Sequence, residues 1–409
     1  MKKIFTILAL SLSFFVSQAQ RYKDKIFTNV TIDSVVYGNA AQYNNVAIDL
    51  KMNIYQPTGD TATNRPLLVL AHGGSFVNGT QYDADVVYLC NEFAKRGYVC
   101  ISLQYRLGVN ISEIILDQNQ AGPQFANAVW RGTLDGRAAM RYLRANLNTY
   151  KISSGQVYLG GVSAGGVLGL HEAFLDLPSE LGIANPKIDT TSIGGVEGGS
   201  INSQGYSWRV KGIINLCGGL GDISWMQNNT NVSIFSVHGT NDQTVPYKTD
   251  YFYASGIKVA KLNGSFVVDS MAKALGMKSF IYTFQNAPHV PFSPGVGSPE
   301  SSTAYMDTTE RMLSDFLFDD IKTNGVGVKN VTANTVKLYP NPANGKVNIE
   351  FSNNTLKTIQ IVDLSGKTMK ELVSSQTMNS VDVSDLKQGI YFVKAYTDNG
   401  ITTQKLIIE

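Results

Sequence analysis

Cysteine is scarce in this chain, at 3 of 409 residues. Cys90, Cys100 and Cys217 form no C-x-x-C pair, which excludes a zinc ribbon and a small disulfide-stapled fold. Histidine is nearly as rare, at 4, and no H-E-x-x-H occurs, so a zincin-type metalloprotease is excluded too. An excess of either charge is also missing. The chain has 34 Lys+Arg against 32 Asp+Glu, a net of +2, and so no global field to recruit nucleic acid or an anionic membrane. Beyond the N-terminus no apolar run is long enough to span a membrane. What remains is a globular composition, 43% hydrophobic with 38 Gly and 12 Pro. That is too apolar for disorder and too punctuated for a coiled coil. The length allows two or three domains.

The N-terminus reads as a secretory signal peptide, residues 1–19. Lys2 and Lys3 precede an apolar run over 4–16, and Ser17-Gln18-Ala19 offers small residues for cleavage. The run is shorter than the roughly 20 residues of a spanning helix. Its removal takes away two positive charges, leaving a net of +2 − 2 = 0. Export permits disulfides, but the odd number of cysteines favours buried thiols over a Cys90–Cys100 bridge.

The remainder divides near residue 325. Before it, apolar runs expected as strands (27–37, 46–55, 66–71, 98–103, 156–160, 210–216, 233–238 and 280–284) alternate with helical patterns (83–96, 134–146 and 305–321). Continuous apolar runs such as P-L-L-V-L-A at 66–71 suit strands buried on both faces of a parallel sheet. The expected fold class is therefore α/β, with a mostly parallel sheet flanked by helices, over residues 20–322. A linker is expected at 323–336, around Asn324-Gly325 and Gly327. Residues 337–409 change character to short β-rich runs separated by turn signals such as Ser365-Gly366 and Asn399-Gly400, which suggests a small all-β sandwich.

Chemistry concentrates in the first body. Gly161-Val162-Ser163-Ala164-Gly165 is a G-x-S-x-G pattern entered from an expected strand and left into an expected helix. A sharp strand–turn–helix elbow needs small residues beside its nucleophile, because the backbone there is strained and crowded. It also holds the serine hydroxyl over a helix N-terminus, where developing negative charge is favoured. Acyl transfer generates an oxyanion that needs backbone N–H groups already in position. The glycine-rich His72-Gly73-Gly74-Ser75 turn after the 66–71 strand can bring such groups close, with Ala164 N–H as partner. His72 itself reads as structural.

An acid and a base should follow the serine in that order. His171 lies on the expected nucleophile helix and should point away from the site, and His238 ends a strand. His289 sits in a loop after a strand and is the candidate base. Asp242 is the candidate acid, and Asp222, also past a strand end, is its rival. Trp130, Trp208 and Trp225 are candidates for the pocket wall or for core packing.

Taken together, residues 27–321 resemble the α/β-hydrolase superfamily, and within it secreted carboxylesterases of the hormone-sensitive-lipase and feruloyl or acetyl-xylan esterase kind. The resemblance rests on H-G-G at 72–74, Tyr105-Arg106-Leu107-Gly108, G-V-S-A-G-G at 161–166, H-G-T-N-D-Q-T-V-P at 238–246, and His289. It implies Ser163 as nucleophile, His289 as base and Asp242 as acid, with Gly74, Ser75 and Ala164 as oxyanion donors and no metal or cofactor. Lipase-like members often carry glycine where this chain has Ser75. The implied activity is hydrolysis of acetyl or feruloyl esters on plant polysaccharides. A polyester hydrolase is the alternative, with a peptidase of the same fold or a non-catalytic surface protein behind it.

The tail has its own resemblance. Leu338-Tyr339-Pro340-Asn341-Pro342, Leu364-Ser365-Gly366-Lys367 and Leu386-Lys387-Gln388-Gly389-Ile390-Tyr391 resemble the C-terminal sorting domain of the Bacteroidetes type IX secretion system. It implies that machinery as a partner, and delivery through the periplasm to the outer surface or the medium.

Overall fold

The structure is a computed structural model, and it describes residues 20–198, 205–254, 256–293, 303–323, 336–350, 356–364, 366–374, 376–397 and 400–409. The expected signal peptide and most of the expected linker lie outside these residues.

β1 (Val30–Ala41) and β2 (Ala47–Pro57) form an antiparallel hairpin, followed by β3 (Arg65–Ala71), α1 (Ala84–Ala94) and β4 (Val99–Leu103). A short α2 (Ile111–Leu116) precedes the long α3 (Ala121–Ala145), and one turn, α4 (Leu147–Tyr150), leads into β5 (Ile152–Val162). Next come α5 (Ala164–Phe174), the short α6 (Pro178–Ile183) and α7 (Thr190–Ile193), then β6 (Gly212–Leu216) and β7 (Gly219–Leu220). The body closes with β8 (Ser233–Gly239), the hairpin β9 (Thr249–Ala254) and β10 (Ile257–Gly264), α8 (Ser265–Ala274), β11 (Ser279–Phe284) and α9 (Thr303–Thr323).

Among the described residues, eight strands form one sheet in the order β1-β2-β4-β3-β5-β6-β8-β11. β1, β2 and β4 pair antiparallel, and every pair from β4 to β11 is parallel. This agrees with the fold class read from the sequence.

The continuous apolar runs now have a physical reason. In β3, Leu67, Val69 and Ala71 face the core shared with α3 and α5, whereas Leu68 and Leu70 face the core shared with α1 and α9. β4 splits the same way, with Val99 and Ile101 on the first side and Cys100 on the second. Alternate side chains of a strand take opposite faces, so a strand covered on both sides is apolar throughout. Each such leucine contributes about 1.5–3 kcal/mol by burial. The three cysteines are buried free thiols, and burial raises the pKa of each.

Two sequence expectations need correction. The helix expected at 134–146 begins at Ala121. Its first half is rich in polar and small residues, so apolar periodicity alone does not mark it. The hairpin β9–β10 was not anticipated, because its residues are mostly half-exposed and alternate poorly.

The described residues from 336 onward build two antiparallel sheets from β12 (Lys337–Tyr339), β13 (Lys346–Glu350), β14 (Leu356–Val362), β15 (Thr368–Leu372), β16 (Met378–Asp382), β17 (Gly389–Thr397) and β18 (Gly400–Ile408). The strand orders are β12-β13-β16 and β15-β14-β17-β18. They enclose a core of their own, including Val347, Ile349, Ile361, Val393 and Leu406. Among the described residues no helix is long and apolar enough to cross a membrane.

Candidate active site

β3, β5, β8 and β11 are parallel, so the loops leaving them emerge on one edge of the sheet. Ser163 follows β5 and caps α5, with φ +53° and ψ −109°. Its amide is tied to Leu216 O of β6 at 2.7 Å. Gly161 and Gly165 flank it because a Cβ on either would strike the Ala71 carbonyl oxygen at the end of β3. Crowding against the next strand is thus what imposes glycine on both sides of this serine.

The Asp242 loop leaves β8 and the His289 loop leaves β11. They are laced together, with Asn241 N donating to Ala287 O at 3.0 Å and Asn286 N to Thr240 Oγ1 at 2.8 Å. His289 Nε2 lies 2.8 Å from Ser163 Oγ, and His289 Nδ1 lies 2.6 Å from Asp242 Oδ2. Burial works against the Asp242 carboxylate, but hydrogen bonds from His238 and His289 bring its pKa down to about 2. An ionised carboxylate only accepts, so His289 Nδ1 carries the hydrogen and Nε2 is free to accept from the Ser163 hydroxyl. That tautomer can take the serine proton.

His238 is bound to the same carboxylate, a contact the sequence reading did not foresee. Its Nε2 is 3.0 Å from Asp242 Oδ2 and 3.1 Å from Val245 O, both acceptors, so Nε2 is the donor. Its Nδ1 is 2.7 Å from Ser265 Oγ. The available signal was a histidine four residues before the acid. Asp222, the rival acid, instead accepts from Ser224 N and Ser224 Oγ at the start of a 3-10 turn.

The 72–76 turn lies against Ser163, since a Cβ on Gly73 would be 3.6 Å from Ser163 Cβ. Gly74, Ser75 and Phe76 all have positive φ, and Ser75 takes +53° without being glycine. Tyr105 holds the turn from below, with its hydroxyl donating to His72 O at 3.0 Å and its ring stacked on the His72 ring at 4.4 Å. Ala164 is the first residue of α5, where helix amides have no partner within the helix.

Two cavities meet at Ser163 and Ser75. One is small and apolar, about 80 Å³, with Phe76, Phe125, Val167, Trp225 and Phe252 in its walls. The other is a larger cleft of about 650 Å³ with a mixed lining, bordered by Gly74, Asn78, Asp83, Thr244 and His289. His171 lines the apolar cavity instead of pointing away from the site. Burial lowers its pKa to about 4, so it is neutral, donating from Nδ1 to Val167 O and accepting Gly221 N–H at Nε2. Of the tryptophans, Trp225 lines that cavity, whereas Trp130 and Trp208 lie against the Arg137 guanidinium. Among the described residues no three His, Cys, Asp or Glu side chains gather into a metal-holding group.

Residues 52–232 match the family model described as BD-FAE, and residues 337–409 match the one described as secretion system C-terminal sorting domain. Over 118 residues the chain is 37% identical to pyrethroid hydrolase Ces2a of Mus musculus, which covers 29% of this chain and 19% of that one. Over 145 residues it is 32% identical to carboxylesterase 3B of Mus musculus, covering 35% of this chain and 23% of that one. The chain thus spans about a fifth of the length of these curated relatives. Among solved structures, native esterase 2 of Thermogutta terrifontis aligns at 21% identity with a TM-score of 0.46, covering 73% of this chain and 94% of that one. The same esterase phosphonylated by cyclosarin gives a TM-score of 0.47 at 21% identity, covering 70% and 93%. Two segments of the chain are thus similar to known families, residues 52–232 to BD-FAE and residues 337–409 to the secretion-system C-terminal sorting domain, and neither similarity spans half of the chain.

Proposed function

We propose that this protein is an exported serine carboxylesterase. The observation that carries this reading is the chain of contacts from Ser163 Oγ to His289 Nε2 at 2.8 Å and from His289 Nδ1 to Asp242 Oδ2 at 2.6 Å. Ser163 attacks the ester carbonyl carbon as His289 takes its proton. Gly74, Ser75 and Ala164 donate to the oxyanion through their amides. The C–O bond to the alcohol breaks, His289 returns the proton to the leaving oxygen, and water releases the acyl group by the same steps in reverse. Asp242, ionised in its buried site, holds the imidazole in the required tautomer and favours its cationic form.

The substrates are acetyl or feruloyl esters on plant polysaccharides. The BD-FAE match over 52–232 and relatives named carboxylesterase support an ester substrate. Residues 1–19 are removed on export, and residues 337–409 hand the catalytic body at 20–322 to the type IX machinery, for which the sorting-domain match is the support. The protein then acts at the cell surface or in the medium.

Hydrolysis of p-nitrophenyl acetate, butyrate and decanoate by the wild type and by Ser163→Ala tests this reading. The wild type is expected to cleave the short esters, and the variant to lose on the order of 10³-fold or more in kcat. No hydrolysis by the wild type, or equal hydrolysis by the variant, overturns it.

A further inference from the structure

The loop that carries His289 is anchored on both sides. Before the histidine, Asn286 N donates to Thr240 Oγ1 and Ala287 O accepts from Asn241 N. The loop presses so closely on the end of β8 that a Cβ on Gly239 would strike the Ala287 and Pro288 carbonyl oxygens. These contacts set His289 against the Asp242 loop. After the histidine, Ser293 Oγ donates to Asp85 Oδ2, in the first turn of α1. Ser293 N donates to Val290 O at 3.0 Å, which closes residues 290–293 into one turn. Both Asp85 and Ser293 are buried, where a polar group left without its partner is costly.

Between the anchors, Val290 takes φ +45°. A β-branched residue avoids that region, so its presence there marks strain. Relaxing Val290 to negative φ would swing either His289 or Ser293 about its backbone. The contacts to Thr240 and Asn241 oppose the first movement, and Asp85 opposes the second. Val290 and Phe292 are also packed in the core shared with α1 and α9, and the Cys217 thiol lies against the Val290 amide. Apolar burial has no preferred direction and a thiol is a weak acceptor, so neither fixes the torsion. The serine hydroxyl on the Asp85 carboxyl does have a direction.

We propose that Asp85 and Ser293 are positioning residues for ester hydrolysis: their hydrogen bond holds Val290 in its strained conformation and so keeps His289 Nε2 on Ser163 Oγ. They act through His289 and not on the ester itself. This rests on the serine-esterase reading above. The base has to stay within hydrogen-bond reach of the hydroxyl it deprotonates, and a misplacement of about 1 Å can cost on the order of 100-fold in rate.

Steady-state kinetics on p-nitrophenyl butyrate, with thermal unfolding of each variant alongside, test the assignment. Ser293→Ala is expected to lower kcat about tenfold with KM nearly unchanged. Asp85→Ala should match it, and the double variant should lose no more than either alone, because both remove one bond. Asp85→Asn can bond the Ser293 hydroxyl with either its oxygen or its nitrogen, and should keep most of kcat. The strain supplies an arm that a general loss of stability would not move. Glycine takes positive φ without cost, so in a Val290→Gly background Ser293→Ala is expected to lose less than about threefold. An unchanged kcat in Ser293→Ala overturns the assignment. So do additive losses in the double variant, equal losses in Asp85→Asn and Asp85→Ala, or an undiminished loss in the Val290→Gly background. Should Asp85→Ala not fold, the Ser293 and Val290 variants decide alone. Equal hydrolysis by Ser163→Ala would instead overturn the esterase reading beneath it, so the two failures are distinct.

Discussion

Asp242 carries four donors on two carboxylate oxygens. Oδ1 accepts from Thr244 N and Val245 N, both at 2.9 Å, and Oδ2 accepts from His238 and His289. Removing the His238 donor leaves Oδ2 a stronger partner for a cationic His289. His238→Ala is therefore expected to move the acidic limb of the kcat/KM profile to higher pH and to lower kcat about tenfold. His238→Gln, which can still donate, should recover most of both. A pH–rate series on a chromogenic ester checks this. Glu172 makes the opposite case, a carboxyl with no hydrogen-bond partner on either oxygen among the described residues. Burial raises its pKa from 4.5 to about 8, with Arg137 pulling the other way. Between those values the unfolded chain has lost the proton and the folded chain keeps it, so stability falls as pH rises through that window and levels off above it. Glu172→Gln removes this dependence. Thermal unfolding should show the variant more stable than wild type by several degrees at pH 8 and similar at pH 5.

At the scale of the elements, what was legible in the sequence is what local chemistry dictates. β3 and β4 are uniformly apolar because both faces are covered, and the turn at Ser163 is glycine-rich because β3 lies against it. Ser163, Asp242 and His289 could be singled out because each follows a strand of the sheet. The His238 contact was not legible, since a strand-ending histidine gives no sign of which loop folds back over it. Nor was the wall of the apolar cavity, which takes Phe125 from α3, Pro186 from the loop after α6, Trp225 from a 3-10 turn and Phe252 from β9. None of these segments has a pattern of its own, and only tertiary packing brings them together. Within α3, Gly132 makes room for this wall. A Cβ there would come within 3.0 Å of Phe76 Cε1 and 3.2 Å of Tyr105 Cδ2. Alanine gains about 1 kcal/mol of helix propensity, but it presses the Phe76 ring toward the cavity. Gly132→Ala is expected to reduce kcat/KM for p-nitrophenyl butyrate about tenfold, as steady-state kinetics on that ester would show.

Across the whole molecule, the apolar clusters of the α/β body end at Ile321 and that of the tail begins at Val336. Among the described residues no buried apolar cluster is shared between the two. A chain ending at Thr323 is therefore expected to fold, keep kcat/KM within about twofold of the full-length protein, and lose delivery to the surface in its host. Kinetics of the truncated protein and fractionation of cells expressing it check both halves.

The walls of the two cavities also differ in ancestry along the chain. The larger cleft is built from the same loops that hold Ser163, Asp242 and His289, at 73–85, 244 and 289–293. The apolar cavity borrows most of its wall from segments that touch none of the three, at 125–129, 184–188 and 252–262. Substitutions can therefore accumulate in the second set without moving the reacting atoms, and rarely in the first. Under selection, whatever group the apolar cavity seats should therefore change readily, while the group seated in the cleft beside His289 should stay nearly fixed.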